Sequence, residues 1–342
     1  MTLSRRDFAR YAAAGAAAAA LPAKAFAGLG DKEPIAATVT GATARGYPKL
    51  VVEGLNGIVR DAYPGSSITF KPSSPGGGLV QIAGGEATLS VSASAPEIRH
   101  AVEGKAPYKE SLKGKLAYVM MLNDNQPMHC IMARAWAEAN GIRTFADIAA
   151  KKPRLRLNLN EVGNLQATLG GANILLQVHG MTPQDIEKWG GSISRGNSTS
   201  AKEAFQDGKV DAFITASSYP DSQLRDIARS RPTAWLESVP AKLKEAADFW
   251  NYRVGTVPKS TYAFLDRDVE ALFQWTSMCA AATTPEEVVY KYVKAVHESA
   301  ERARKIHPSL AELSGEFMAR NRSGLPFHPG AERYYREKGF LK

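Results

Sequence analysis

The chain of 342 residues carries 43 Lys and Arg against 34 Asp and Glu, a net charge of +9, and 44% of it is hydrophobic. That composition excludes a disordered chain, a collagen-like repeat and a disulfide scaffold, and fits a globular protein of one large or two moderate domains. Beyond the first few dozen positions no run of roughly 18 apolar residues occurs, which excludes a polytopic membrane protein. The two cysteines, Cys130 and Cys279, lack the C-x-x-C spacing of a zinc or dithiol site and leave a single long-range bridge open.

Residues 1–27 read as an export signal. Ser4-Arg5-Arg6-Asp7-Phe8 and Arg10 precede the Ala-rich stretch Tyr11 to Leu21, and Ala25-Phe26-Ala27 supplies an A-x-A cleavage pattern. Adjacent arginines with Phe two positions on look like a twin-arginine signal. No cysteine follows the apolar stretch, so the mature protein is expected free in the periplasm. With the signal go Arg5, Arg6, Arg10, Lys24 and Asp7, leaving 39 basic residues facing 33 acidic. That balance permits anionic partners. Nucleic acid is not an expected partner: the basic residues are scattered and no zinc-finger or RNP-like motif appears.

From Ile35 the pattern alternates β-rich runs and helical periods. Strands are predicted at 35–40, 67–71 and 87–92, with helices over 49–62 and 78–83 between them. Such a β-α-β-α-β series is the mark of a parallel sheet covered by helices. Strands at 116–122 and 128–133 follow. A second series has a strand at 155–159, helices at 166–179 and 201–206, and a strand at 210–215. Gly85-Glu86-Ala87-Thr88-Leu89 leading to Ser92-Ala93-Ser94 is echoed by Gly208-Lys209-Val210-Asp211-Ala212 leading to Ser217-Ser218, which suggests two α/β lobes. Strands at 235–239, 252–257 and 279–282, a helix near 241–249 and a long helix over 285–305 complete the reading.

Catalytic spacing is absent. The six histidines never form H-x-H or H-x-x-x-H, Ser198 lacks the second Gly of a nucleophile elbow, and Gly76-Gly77-Gly78 lacks both dinucleotide spacing and a P-loop lysine. No enzyme activity, metal or cofactor is therefore expected. What recurs is a set of strand-to-helix turns rich in small polar residues, containing Thr43, Ser74, Gly76, Gly77, Gly78, Ser92, Ser94, Val162, Gly163, Asn164, Ser217 and Tyr219. In open parallel sheets ligands bind beyond the carboxyl ends of the strands, where exposed N–H groups receive anions. Plain helix capping would give similar turns. Arg45 is a candidate carboxylate fork or else a surface arginine, and Tyr47 a candidate wall and hydroxyl donor.

Several phrases resemble the TAXI family, the solute-binding subunits of TRAP (tripartite ATP-independent periplasmic) transporters. The tail from Gly324-Leu325-Pro326 through His328-Pro329-Gly330-Ala331 and Arg333-Tyr334-Tyr335 to Gly339 is similar to that family's ending, and Thr40-Gly41 through Tyr47-Pro48 to its opening. Gly208 to Phe213, and Gly255-Thr256-Val257-Pro258 with Tyr262, resemble further segments. The resemblance implies an α/β, two-lobed periplasmic binding protein fold with an interdomain cleft and crossing hinge strands, one lobe from 28–132 and 251–342 and the other from 133–250. It also implies a receptor that delivers a small anion, a carboxylate by expectation, to TRAP permease subunits. Departures at Pro75 to Val80, at Ala93-Ser94-Ala95 and at Val162 to Gln166 keep the family's amino-acid and dicarboxylate ligands from being carried over directly. Two alternatives keep the periplasmic location: a ligand-sensing module for a membrane signalling partner, and a cofactor-bearing enzyme.

Overall fold

The computed structural model describes residues 32–41, 44, 47–73, 78–159, 166–217 and 219–342. The expected export signal, residues 1–27, lies outside them. The chain begins with β1 (Ala36–Thr40), α1 (Tyr47–Ala62), β2 (Ser67–Phe70), α2 (Leu79–Ala83), β3 (Leu89–Ala93) and α3 (Ala95–Glu103). β1 pairs in parallel with β2 and β3, as the alternating pattern requires. In α1 the residues Val51, Val52, Leu55, Ile58 and Val59 are buried at helical spacing, whereas Leu50, expected on that face, is 53% exposed.

Next comes β4 (Leu116–Ala133), one strand of 18 residues where the sequence suggested two. The apparent break, Asn123-Asp-Asn-Gln-Pro127, is a polar stretch inside a continuous ladder, and every β4 residue but Asn125 is buried. Beyond it lie α4 (Arg134–Asn140), α5 (Phe145–Lys151), β5 (Arg156–Leu159), α6 (Gln166–Val178), α7 (Pro183–Lys188), β6 (Ser192–Ser194), α8 (Ser198–Gln206), β7 (Ala212–Ala216), α9 (Ser222–Ser230), β8 (Thr233–Trp235), α10 (Pro240–Trp250) and β9 (Arg253–Val257). The run expected as a strand at 279–282 is the end of β10 (Val269–Ala281), which is 13 residues long. The long helix expected over 285–305 is divided at Ser299 into α11 (Glu286–Glu298) and α12 (Ala300–Arg304). α13 (Gly315–Met318) and α14 (Pro329–Glu337) end the chain.

The sheet order is β2-β1-β3-β10-β4-β7-β5-β6, with β8 beside β4 and β9 beside β10. β4 and β10 are its spine. They pair antiparallel from Phe273 opposite Pro127 to Ala281 opposite Leu116, with register shifts after Gln274, Thr276 and Met278. Bulges of this kind bend a strand and increase its twist, which lets one ribbon serve two differently oriented half-sheets. A second apolar cluster joins Ile131, Phe205 and Phe213 to Val257, Tyr262, Val269 and Phe273. From the stretch 253–273, expected with the first lobe, Val257, Tyr262, Val269 and Phe273 thus pack beside β4's distal end and β7.

The tail motif is a clamp. Gly330 packs so closely on α11 that a Cβ would overlap the Glu286 carbonyl. His328 accepts from Gly330 N through Nδ1 (3.2 Å) and donates through Nε2 to the Thr284 carbonyl (2.9 Å). Arg333 lies 4.0 Å over the Tyr290 ring and pairs with Glu286 and Glu287, both at 2.7 Å. Tyr335 donates to the Val119 carbonyl on β4 (3.0 Å).

Trp275, 1% exposed, donates its indole N–H to the Asn251 carbonyl at 2.9 Å and so ties β10 to the end of α10. Trp275→Ala is expected to lower stability by about 3–5 kcal/mol. Urea unfolding checks this: a change within ~0.5 kcal/mol, the range of surface substitutions, would contradict the assigned packing.

Candidate functional site

The registers make the site. Ala93, the last residue of β3, stands opposite Ser277, and Ala216, the last residue of β7, opposite Met128. Ser277 pairs with Met121. The carboxyl ends of β3 and β7 therefore point toward one another across residues 121–128 of β4, and β1 and β5 run parallel to them. This is where a doubly wound sheet leaves a crevice.

The floor of the crossing is built of amides. Asn123 accepts from Asn125 N at 2.7 Å, and Gln274 donates to Gln126 Oε1 at 3.4 Å. Asn123 Nδ2 and Gln274 Oε1, each on a residue 3% exposed, have no hydrogen-bond partner among the described residues. Buried polar atoms are seldom left so in a folded protein, since each unpaired group costs about 1–3 kcal/mol.

On the first side, Thr40 donates its hydroxyl to Gln81 Oε1. Gly78, at φ +80°, precedes α2 so tightly that a Cβ would stand 2.7 Å from both Gly41 N and Thr40 Cγ2. Only glycine meets both demands, so the β1 and β2 turns interlock there. Ser94 caps α3 and donates from N and Oγ to Glu97 Oε2 (3.0 and 2.9 Å). Burial pushes the Glu97 carboxyl up to about 7, and the two Ser94 hydrogen bonds only partly oppose it.

On the second side lies a chain of buried groups. Ser217 donates to Asp221 Oδ2 (2.6 Å), so it accepts from His129 Nδ1 (3.2 Å). In the neutral ring Nε2 is then the acceptor and takes the Tyr262 hydroxyl proton (2.7 Å), while Tyr262 accepts from Asp221 N (2.9 Å). Lys202, 5% exposed, completes an ion pair with Asp221. Burial alone would raise the Asp221 carboxyl, but the Lys202 charge and the bonds from Lys202, Ser217 and Leu224 N hold it below its ordinary value. Burial pulls His129 down to about 4, leaving it neutral and unsuited to general-base work near pH 7. Beside this chain the Tyr219 ring meets Phe273 edge-on at 5.6 Å, and Arg253 lies 4.2 Å over Phe273. Arg253 donates to the Asp124 carbonyl (3.2 Å) and Asn125 Oδ1 (3.4 Å) and has no carboxylate partner among the described residues.

Of the residues expected from sequence, Gly78, Ser94, Ser217 and Tyr219 stand at these strand ends. Thr43, Arg45, Ser74, Gly76, Gly77, Val162, Gly163 and Asn164 lie outside the described residues. Tyr47 opens α1 and Ser92 lies in β3, with neither side chain described. Ser217 is a node of the buried chain: its one proton goes to Asp221. Sequence reasoning missed Asn123, Gln274 and Arg253. The polar interruption 123–127 in an apolar strand was the visible signal for the first; Arg253, two residues ahead of Gly255, had none. Cys130 and Cys279 are free buried thiols, and burial pushes Cys279 up to about 12. Among the described residues no group of three or more His, Cys, Asp or Glu is placed to hold a metal ion, and no helix is long and apolar enough to cross a membrane.

The NMT1-like family matches residues 68–339, and the chain belongs to it. Among solved structures, MatC from Rhodopseudomonas palustris with bound malate is 15% identical over 81% of this chain and 88% of its own, at a TM-score of 0.50. Iron-bound HitA from Pseudomonas aeruginosa is 14% identical over 90% of this chain and 100% of its own, at 0.46. The periplasmic aliphatic sulphonate binding protein SsuA from Escherichia coli is 15% identical over 89% and 84%, at 0.44. The chain has the two-lobed periplasmic binding protein fold.

Two consequences are measurable. Gly78→Ala is expected to cost about 1–3 kcal/mol through its left-handed backbone alone, read as a lowered thermal midpoint; an unchanged midpoint would contradict the interlocked turns. His129 is neutral when folded but protonates near 6.5 when unfolded, so its contribution is full above that value and is lost as pH falls toward about 4. Glu97 acts oppositely, losing stability as pH rises from about 4.3 in the unfolded chain toward about 7. The test is therefore the difference between wild type and His129→Gln, which should narrow by on the order of 3 kcal/mol between pH 6.5 and 4. A pH-independent difference would refute the buried neutral ring.

Proposed function

We propose that this member of the NMT1-like family is a periplasmic solute receptor that closes on a small anion, a carboxylate in the first instance, and passes it to TRAP permease subunits. The observation that carries the reading is the convergence of strand ends from both half-sheets on a crossing where the buried Asn123 and Gln274 amides each have an atom without a partner among the described residues. A polar ligand enclosed there would satisfy them while binding energy is spent on closure about the β4–β10 ribbon. Arg253 supplies charge from the second side, with Tyr219 and Phe273 as its aromatic support, and Arg45 supplies charge from the first turn. Thr43, Tyr47, Ser74, Gly76, Gly77, Gly78, Ser92 and Ser94 complete the first wall, and Val162, Gly163, Asn164, Ser217 and Tyr219 the second. MatC, which shares the fold at TM-score 0.50, holds malate.

The lobe boundary in this reading passes through the crossing itself, so that 253–273 moves with the second lobe. Export follows the twin-arginine signal in residues 1–27. Selectivity rests on neutral amides and one or two guanidinium forks, a set suited to ligands presenting a carboxylate beside a further hydrogen-bonding group.

Thermal unfolding of the mature chain with amino acids, dicarboxylates, keto acids and aromatic acids is the direct test. A ligand that binds only the folded state at a hundred times its dissociation constant adds about 2.7 kcal/mol. Arg253→Ala and Arg45→Ala should each weaken binding about ten- to a hundredfold, or roughly 1.5–3 kcal/mol. Uptake of the same compound into vesicles bearing a TRAP permease should depend on the receptor. No shift across the panel, together with receptor-independent uptake, would end the proposal.

A further inference from the structure

A further cavity, of about 550 Å³, opens along the flank of α3 from Ala95 to Glu103, between it, the end of α10 and residues 322–326 of the tail. Its size is that of a small-molecule site. Its walls come from distant parts of the chain that are bonded to one another around it. Arg99 on α3 donates to the Phe249 carbonyl (3.1 Å) and lies 4.7 Å over the Phe249 ring. Asn251 donates to the Arg322 carbonyl (2.7 Å), and Trp250 to the Gly170 carbonyl (3.1 Å) on α6. The Gly324-Leu325-Pro326 phrase, the start of the chain's most specific sequence motif, forms one side of this space.

The chemistry of the lining is lopsided. Ile98, Val102, Leu116, Trp250 and Leu325 make an apolar interior. The two acids at the rim are already neutralised: Glu103 by Arg99 (3.0 Å) and Lys105 (2.6 Å), and Asp248 by Lys244 (2.7 Å). Lys113 and Arg322 also line the cavity and have no carboxylate partner among the described residues. An apolar chamber edged by two uncompensated cations matches a ligand with an apolar body and an anionic head.

We infer that this cavity is a second ligand site, separate from the crevice at the strand ends, for a small amphipathic anion such as an aromatic or medium-chain carboxylate or sulfonate. The apolar body lies against Val102 and Trp250, and the head against Arg322 and Lys113.

Anilinonaphthalene sulfonate, an aromatic anion that fluoresces when removed from water, is the probe. Titrated into the folded mature chain, it should bind saturably at one molecule per chain and be displaced by octanoate. Val102→Trp, which fills the chamber, and Arg322→Glu, which reverses the charge at its edge, should each weaken binding about tenfold or more with the thermal midpoint kept. Arg322 is half-exposed, so its variant answers even where Val102→Trp folds poorly. Binding by Arg322→Glu at wild-type strength, or fluorescence that rises without saturating, would overturn the inference.

Discussion

The antiparallel pairing of β4 with β10 is the constraint from which the remaining geometry follows. Both strands are buried along nearly their whole length, so each backbone amide must find its partner in the ladder or pay a desolvation penalty. The ladder therefore persists through the polar stretch at Asn123–Pro127, accommodating it by shifts in register rather than by ending. Once the ribbon is continuous, the half-sheets on its two ends are joined through it in one sheet. β3 joins β10 and β7 joins β4, each antiparallel to its neighbour, so their carboxyl ends face the same short segment.

Polar groups near this segment divide into two kinds. The Tyr262–His129–Ser217–Asp221–Lys202 chain is closed upon itself: His129 takes the proton of Tyr262 and Asp221 that of Ser217, and the ion pair is shielded from water. Removing one partner of such a pair strands the other in a medium of low dielectric, which makes the chain a determinant of shape. Asn123, Gln274 and Arg253 are different in kind: among the described residues Asn123 Nδ2 and Gln274 Oε1 have no partner and Arg253 pairs with no carboxylate. In the proposed receptor, shape and recognition draw largely on different residues even where they share a wall.

The tail illustrates how a specific motif can serve packing first. His328, Gly330, Arg333 and Tyr335 are all accounted for by contacts with α11 and β4. Its leading residues, 324–326, are left facing the cavity beside α3. The long-range bond from Tyr118 N to the Pro326 carbonyl and the return bond from His328 N to the Tyr118 carbonyl, both 2.8 Å, fasten this segment to the spine.

Sequence alone determined the class of the protein and the order of most of its strands, because burial imposes a local periodicity: Val51 to Val59 on α1, and the apolar runs of β1, β3, β5 and β7, are legible residue by residue. The left-handed glycines Gly85 and Gly208 likewise marked the two echoing units, since turn geometry is a local property. Only the tertiary structure decided that 116–122 and 128–133 are one strand, that Ser299 divides the last long helix, and that Leu50 faces solvent. Continuity of a buried ladder depends on a partner strand about 150 residues away, and no local pattern carries that information. The same reason separates the site residues that were legible from those that were not. Gly78 and Ser94 announce themselves by turn chemistry. Arg253 acquires its place only when β9 pairs with β10 and sets its guanidinium over Phe273.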